Sequence, residues 1–297
     1  AMAEFLPGIY PDMPEDEYHA DPVPEWSLSA SGASLLLDPS CPALYLHHRN
    51  HSKPRTKALD MGTLAHSLVL GAGRQPVLIP DRHLSKSGSI GTDAARAFIA
   101  AEEAKGNIPV KSADWKVIND MADALQRHPV AGRIFQPGTG DPEVSMFWRD
   151  ERHGIMRRAR LDWLPRQVSS RGRIIVADYK TARSAHPSEW RRAGADYGYH
   201  RQDANYTAGV KALGIAKDVA MVYVVQEKTA PYLVSVFEIT RDAVAIGEQQ
   251  MNRASAIFAR CLQTGHWPDY TDGAVLPVDL PTYYTIAAEA ELEKDIP

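Results

Sequence analysis

Apolar and polar positions recur with two different periods along this chain, and the change from one to the other divides it. Before about residue 130 the spacing is helical. "KALDMGTLAHSLVLGAG" carries Leu59, Leu64, Leu68 and Val69 at a partly helical period, with Gly71 and Gly73 suited to its end. Upstream, "SLSASGASLLLDPSCPALYLHHR" offers Ser27, Ser29 or Ser31 as a helix N-cap ahead of an apolar patch. Residues 81–93, "DRHLSKSGSIGTD", have loop composition, and helical patterns follow at about 93–105 and 112–127.

From residue 143 the period becomes two. "EVSMFWRDERHGIMRRARLDWLP" predicts two strands joined by a turn at Asp150–Gly154, and "GRIIVADYKTA" predicts a third after the turn "SSRG". A helical pattern spans roughly 187–213, two strands are predicted at 218–227 and 231–240 around "KTAP", and a long helix at about 241–264. There is no internal repeat. This order predicts an α/β fold with a mixed central sheet flanked by helices and an N-terminal helical elaboration. The domain reading is an extended arm rich in Pro, Asp and Glu over 1–25, a single domain over 26–267, and a tail without clear period over 268–297.

Composition narrows the classes. The chain has 297 residues, 44% hydrophobic and 24% charged, which are ordinary globular values and enough for a substantial core. No run approaches the roughly 18 apolar residues of a membrane span, and no basic-then-apolar leader is read. Two cysteines, Cys41 and Cys261, cannot build a disulfide framework or a four-cysteine iron–sulfur site. The expectation is a cytoplasmic protein of a bacterial or phage-infected cell, with no membrane partner.

The net charge of −4 hides an uneven distribution. Residues 157–192 hold ten basic and three acidic side chains, a local +7 that leaves −11 for the rest. A solvated basic surface and a polyanion tract are both compatible with that clustering.

The tract surrounds an unusual strand end. On a strand, residues two apart share a face, so Asp178 and Lys180 point one way and Tyr179 the other. Asp162 ends the preceding predicted strand; if the two strands are antiparallel neighbours, Asp162 comes close to Asp178. Two carboxylates sharing a site repel unless a cation lies between them, and Mg²⁺ prefers such oxygen ligands. A D-x-K string alone is common as a surface ion pair; here the preceding "IIVA" has the composition of a buried strand.

Asp162 followed by "DYK" at 178–180 resembles the PD-(D/E)xK nuclease pattern, and most closely the RecE-type exonucleases, that is, exodeoxyribonuclease VIII and its phage relatives, of the RecB-like branch. "MGTLAHSLVLG" is similar to that group's helix carrying a metal-contacting His, here His66. "RARLDW" resembles its Arg-rich approach to the acidic strand end. "YHRQDANY" carries Gln202 and Tyr206 at the spacing of its Q-x-x-x-Y motif. Leu161 stands where the pattern's proline would be.

The resemblance implies Mg²⁺, with Mn²⁺ able to substitute, held by Asp162, Asp178, the Tyr179 carbonyl and His66. It implies Lys180 as catalytic base or water-orienting residue. Gln202 and Tyr206 would hold the scissile phosphate or the lysine. Thr181, Arg183, Ser184 and, by strand alternation, Arg158 and Arg160 are the candidate DNA contacts, and Glu143 is a further acidic candidate. It also implies 5′→3′ resection of duplex DNA ends to leave 3′ single strands, a ring-shaped homo-oligomer (tetramer ahead of trimer), and a RecT-type annealing partner. No nucleotide cofactor is expected, since the chain has no G-x-x-x-x-G-K-[ST] loop. An endonuclease using the same residues and a non-catalytic DNA-binding module are the rival readings.

Overall fold

The computed structural model describes residues 5–51, 61–170 and 172–294. Leu59 and the start of its predicted helix, Arg171 and the chain termini lie outside them. In chain order the elements are β1 (Gly8–Tyr10), α1 (Glu15–Ala20), β2 (Ser27–Leu28), α2 (Ala30–Leu36), α3 (Pro42–Asn50), α4 (Met61–Leu70), β3 (Pro76–Leu78), α5 (Asp93–Ala104), β4 (Ile108–Val110), α6 (Ser112–Arg127) and α7 (Ala131–Ile134). They continue with β5 (Gly140–Asp150), β6 (Ile155–Pro165), β7 (Arg173–Ala182), α8 (Pro187–Tyr197), α9 (Tyr199–Ala212), β8 (Asp218–Glu227), β9 (Val234–Glu238), α10 (Arg241–Thr264) and α11 (Thr282–Leu292).

The sheet grows from the β5–β6 hairpin. Its turn forms because the Asp150 carboxylate accepts from the backbone N–H groups of Arg152 and His153, while Gly154 takes φ 67°. The full order is β1-β5-β6-β7-β8-β9, with β2 added parallel to β6. Only β7–β8 runs parallel along the main path; its crossover is the α8–α9 pair. β7 and β8 are largely buried because helices cover both their faces. On one side α8 and α9 close a core of Val144, Met146, Leu161, Val176, Met221 and Tyr223. On the other, Leu70 of α4, Leu125 of α6 and Phe135 pack on Trp163, Ala177 and Tyr179.

The hairpin, the third strand and the long helix stand where the periodicity predicts them. The pattern over 187–213 is two helices, because Gly198 at φ 70° breaks it; a Cβ there would meet the Arg201 guanidinium at 2.2 Å. β3 and β4 pair in a small parallel sheet that three-residue strands gave no period to announce. The described part of the extended arm, from residue 5 on, packs on the sheet. β1 pairs antiparallel with β5, and Met13, Tyr18 and Val23 are buried against Phe147 and Met156. In the tail, α11 forms but buries none of its residues.

Candidate active site

β6 and β7 are in register at Trp163↔Ala177, which sets Asp162 opposite Asp178. Tyr179 points into the α4–α6–α7 side, where its hydroxyl donates to Gln226 Oε1 at 2.6 Å. Asp178 and Lys180 point to the α9 side, as alternation requires. There the carboxylate of Asp178, 1% exposed, accepts from Gln202 Nε2 at 2.7 Å and lies 2.7 Å from Lys180 Nζ. The Tyr206 hydroxyl stands against Gln202, one helical turn on.

The second half of the site comes from three separate elements. His66 of α4 reaches Asp162 Oδ2 with Nε2 at 3.1 Å and faces Glu143 Oε1 with Nδ1 at 3.5 Å. His66, Glu143 and Asp162 each offer a ligand atom within 4.8 Å of the others. Glu143 sits at φ 55°, a conformation that non-glycine residues seldom take, and the register skips it between Pro142↔Trp163 and Val144↔Leu161. That break in the ladder aims its carboxylate at His66 and at Arg160 Nε, 2.7 Å away. Tyr179 contributes its backbone N–H, which donates to Asp162 Oδ2 at 2.8 Å.

The charges are mutually biased. Burial favours neutral His66, but Asp162, then Glu143 and Asp178, outweigh it and raise its pKa to about 9. Burial raises Asp178 to about 6 against the pull of Lys180, with Asp162 adding repulsion. Burial alone would lower Lys180, yet the facing Asp178 and Asp162 carboxylates hold its pKa above the ordinary lysine value. That bias favours the ammonium form of Lys180, a hydrogen-bond donor. Burial opposes the charge on Asp162 too, but His66, Lys180 and the Tyr179 N–H keep it ionised.

A cleft of about 850 Å³ opens over these groups, walled by His66, Glu143, Arg160, Asp162, Lys180 and Thr181. Three of the predicted DNA contacts, Arg158, Arg183 and Ser184, do not line it. Arg158 is buried, donating to the Ser27 carbonyl and pairing with Asp21 at 2.9 Å, because α1 and β2 cover the strand where an open face was expected. Ser184 closes the turn before α8 by accepting from the His186 N–H. Arg183 is exposed beyond the strand end. Arg160 does line the cleft, but tied to Glu143, Ser145 and the Met13 carbonyl. What sequence reading undervalued is Glu143; its signal was an acid directly after a proline at a strand start, where a ladder is easily interrupted.

An α-helix-flanked mixed sheet whose D-x-K strand faces a second acidic strand agrees with comparison to known proteins. The family model described as "PDDEXK-like domain of unknown function (DUF3799)" matches residues 29–276. The chain belongs to that family. This PDDEXK-like domain therefore has the PD-(D/E)xK nuclease fold. A solved structure from Eubacterium rectale, provisionally named an exonuclease, superposes with TM-score 0.54 over 93% of this chain and 98% of its own. The two are 13% identical, so the likeness is one of fold. The SSO0001 structure, with TM-score 0.28 and 14% identity over 65% of this chain and 84% of that one, is too loose an overlap to add to this. No curated protein matches the chain.

PDDEXK nucleases as a class use divalent metals, and the donors here fit one. Two carboxylates and an imidazole converge, and the proton drawn onto His66 reports the negative field a cation would occupy. Among the described residues no helix is long and apolar enough to cross a membrane.

Proposed function

We propose that this PDDEXK-like domain is a metal-dependent exodeoxyribonuclease acting on double-stranded DNA ends. The observation that carries this is the convergence of His66, Glu143 and Asp162 beside the buried Asp178–Lys180 pair in one cleft. Mg²⁺, or Mn²⁺ in its place, would be held by His66, Glu143 and Asp162, with Asp178 adjoining. Bound there, it would supply charge neutralisation at the phosphate and a more acidic water.

The protein's own groups do the rest. Lys180 Nζ–H donates to a non-bridging phosphate oxygen, where charge grows as water attacks phosphorus and the bridging P–O bond breaks. Gln202, backed by Tyr206, fixes the Asp178 carboxylate and so fixes Lys180. Thr181 and Arg160 line the approach. The RecE-like order of motifs supports 5′→3′ polarity, a ring-shaped homo-oligomer and delivery of 3′ strands to a RecT-type annealing protein.

The test is digestion of end-labelled linear duplex beside covalently closed circles, with Mg²⁺ and with chelator. The expected result is metal-dependent release of label from 5′ ends and intact circles. Cleaved circles would establish an endonuclease instead, and release from 3′ ends would reverse the polarity.

A further inference from the structure

Four aromatic rings form a row that ends at the site. Phe237 and Trp190 stack at 5.5 Å and 10°, Trp190 and Tyr199 at 4.7 Å and 20°, and Tyr199 and Tyr197 lie 5.8 Å apart at 30°. The inner rings are set in the core between α8 and the sheet. The outermost, Tyr197, is 72% exposed. Its backbone sits at a defined corner: it is the last residue of α8, and Gly198 at φ 70° turns the chain directly into α9.

Tyr197 lines a cavity of about 390 Å³ together with His66, Asp162, Lys180 and Gln202. Lys180 Nζ stands 5.5 Å from the Tyr199 ring centre, so the Tyr197 ring centre is at most about 11 Å from that ammonium. A nucleotide with its phosphate at Lys180 would thus have its own or its neighbour's base within reach of Tyr197.

The electrostatics of the cavity leave such a contact something to do. Arg160, Lys180 and His66 in its wall are already paired, with Glu143 at 2.7 Å, Asp178 at 2.7 Å and Asp162 at 3.1 Å. Backbone phosphates therefore meet little uncompensated positive charge there. An aromatic face binds any base without regard to charge or sequence, with about 1–3 kcal/mol per stacked base. A base inside a duplex is already stacked and paired, so it offers no free face to a side chain.

We propose that Tyr197 is a stacking platform for an unpaired base, so that the site takes a single-stranded or frayed strand end. This rests on the nuclease reading and names the form of nucleic acid that enters. The probes are single-stranded oligonucleotides carrying 2-aminopurine at the 5′ or the 3′ terminus, the same strands in a G·C-clamped duplex, and strands abasic at the terminal position, all in EDTA so that nothing is cleaved.

The expected result is quenching of a single-strand probe by wild type, absent with the clamped duplex. Tyr197→Ala loses the quench and binds about tenfold more weakly, Tyr197→Trp keeps both, and the abasic strand binds wild type and Tyr197→Ala alike. Equal affinity of wild type and Tyr197→Ala for the intact strand would overturn the proposal, as would equal quenching of the clamped duplex. Parallel Mg²⁺ digests separate the two readings. Persistent quenching with no cleavage overturns the nuclease reading alone, unchanged Tyr197→Ala binding with normal cleavage overturns only the platform, and absence of both overturns both.

Discussion

The two halves of the site differ in how their charges are settled. Asp178, Lys180 and Gln202 form a closed half: a buried carboxylate already matched by an ammonium and an amide. His66, Glu143 and Asp162 form an open half, in which two carboxylates share one histidine and pull its pKa to about 9. The closed half comes from one strand and the helix that crosses over it, so its geometry is set once the parallel β7–β8 pair forms. The open half joins α4, β5 and β6, and a strained Glu143 completes it. The closed half positions its lysine, whereas the open half can give up the proton on His66 and take a cation among its ligand atoms instead.

The largest effect expected from that contrast is on cleavage. Lys180→Ala should lower turnover about 10³-fold, the cost of one transition-state donor, yet keep the rise in melting temperature that added Mg²⁺ or Mn²⁺ produces. Asp162→Asn should lose turnover and that metal-induced rise together. Calorimetry of both variants decides it; loss of the metal response in Lys180→Ala would mean that the halves are one unit.

Arg158 sharpens the boundary of the open half. Removing it leaves Asp21 buried with Arg49 as its remaining cationic partner, so Arg158→Ala should destabilise the fold by about 3 kcal/mol. Its DNA affinity per folded molecule should stay unchanged; weakened binding in that fraction would restore the strand-alternation expectation.

Asp203 is a buried carboxylate like Asp178 but without a lysine against it. Burial, then Glu238, raises its pKa to about 7 against the pull of Lys211, with Glu248 adding a smaller push. The folded state thus holds this proton more tightly than the unfolded chain. Its contribution is intact below about pH 4 and is lost as pH rises through about 7. Asp203→Asn should therefore gain on the order of 2 kcal/mol at pH 8 and little at pH 4, read by urea denaturation at both. An equal gain at both pH values would remove the distinction between the two buried carboxylates.

The smallest effect is at Glu143. Glu143→Gln keeps the shape and halves the carboxylate count of the open cluster, so metal affinity should fall about tenfold with folding unchanged. Isothermal titration with Mn²⁺ measures it, and an unaltered affinity would take Glu143 out of the metal set.

Much of this was legible in the chain itself. Strand alternation determined that Asp178 and Lys180 share a face and that Tyr179 opposes them, because a period of two leaves no freedom. The i,i+4 spacing determined that Gln202 and Tyr206 lie together on one helix, and the "SSRG" turn brought the third strand back beside Asp162. Tertiary structure decided the rest. It buried Arg158 beneath α1 and β2, paired Gly8–Tyr10 with the sheet, turned Glu143 out of its ladder, and ended the aromatic row at Tyr197 on the rim of the site. Local patterns report which side of its own element a residue takes. What stands on that side is set by segments up to a hundred or more residues away, and no period records them.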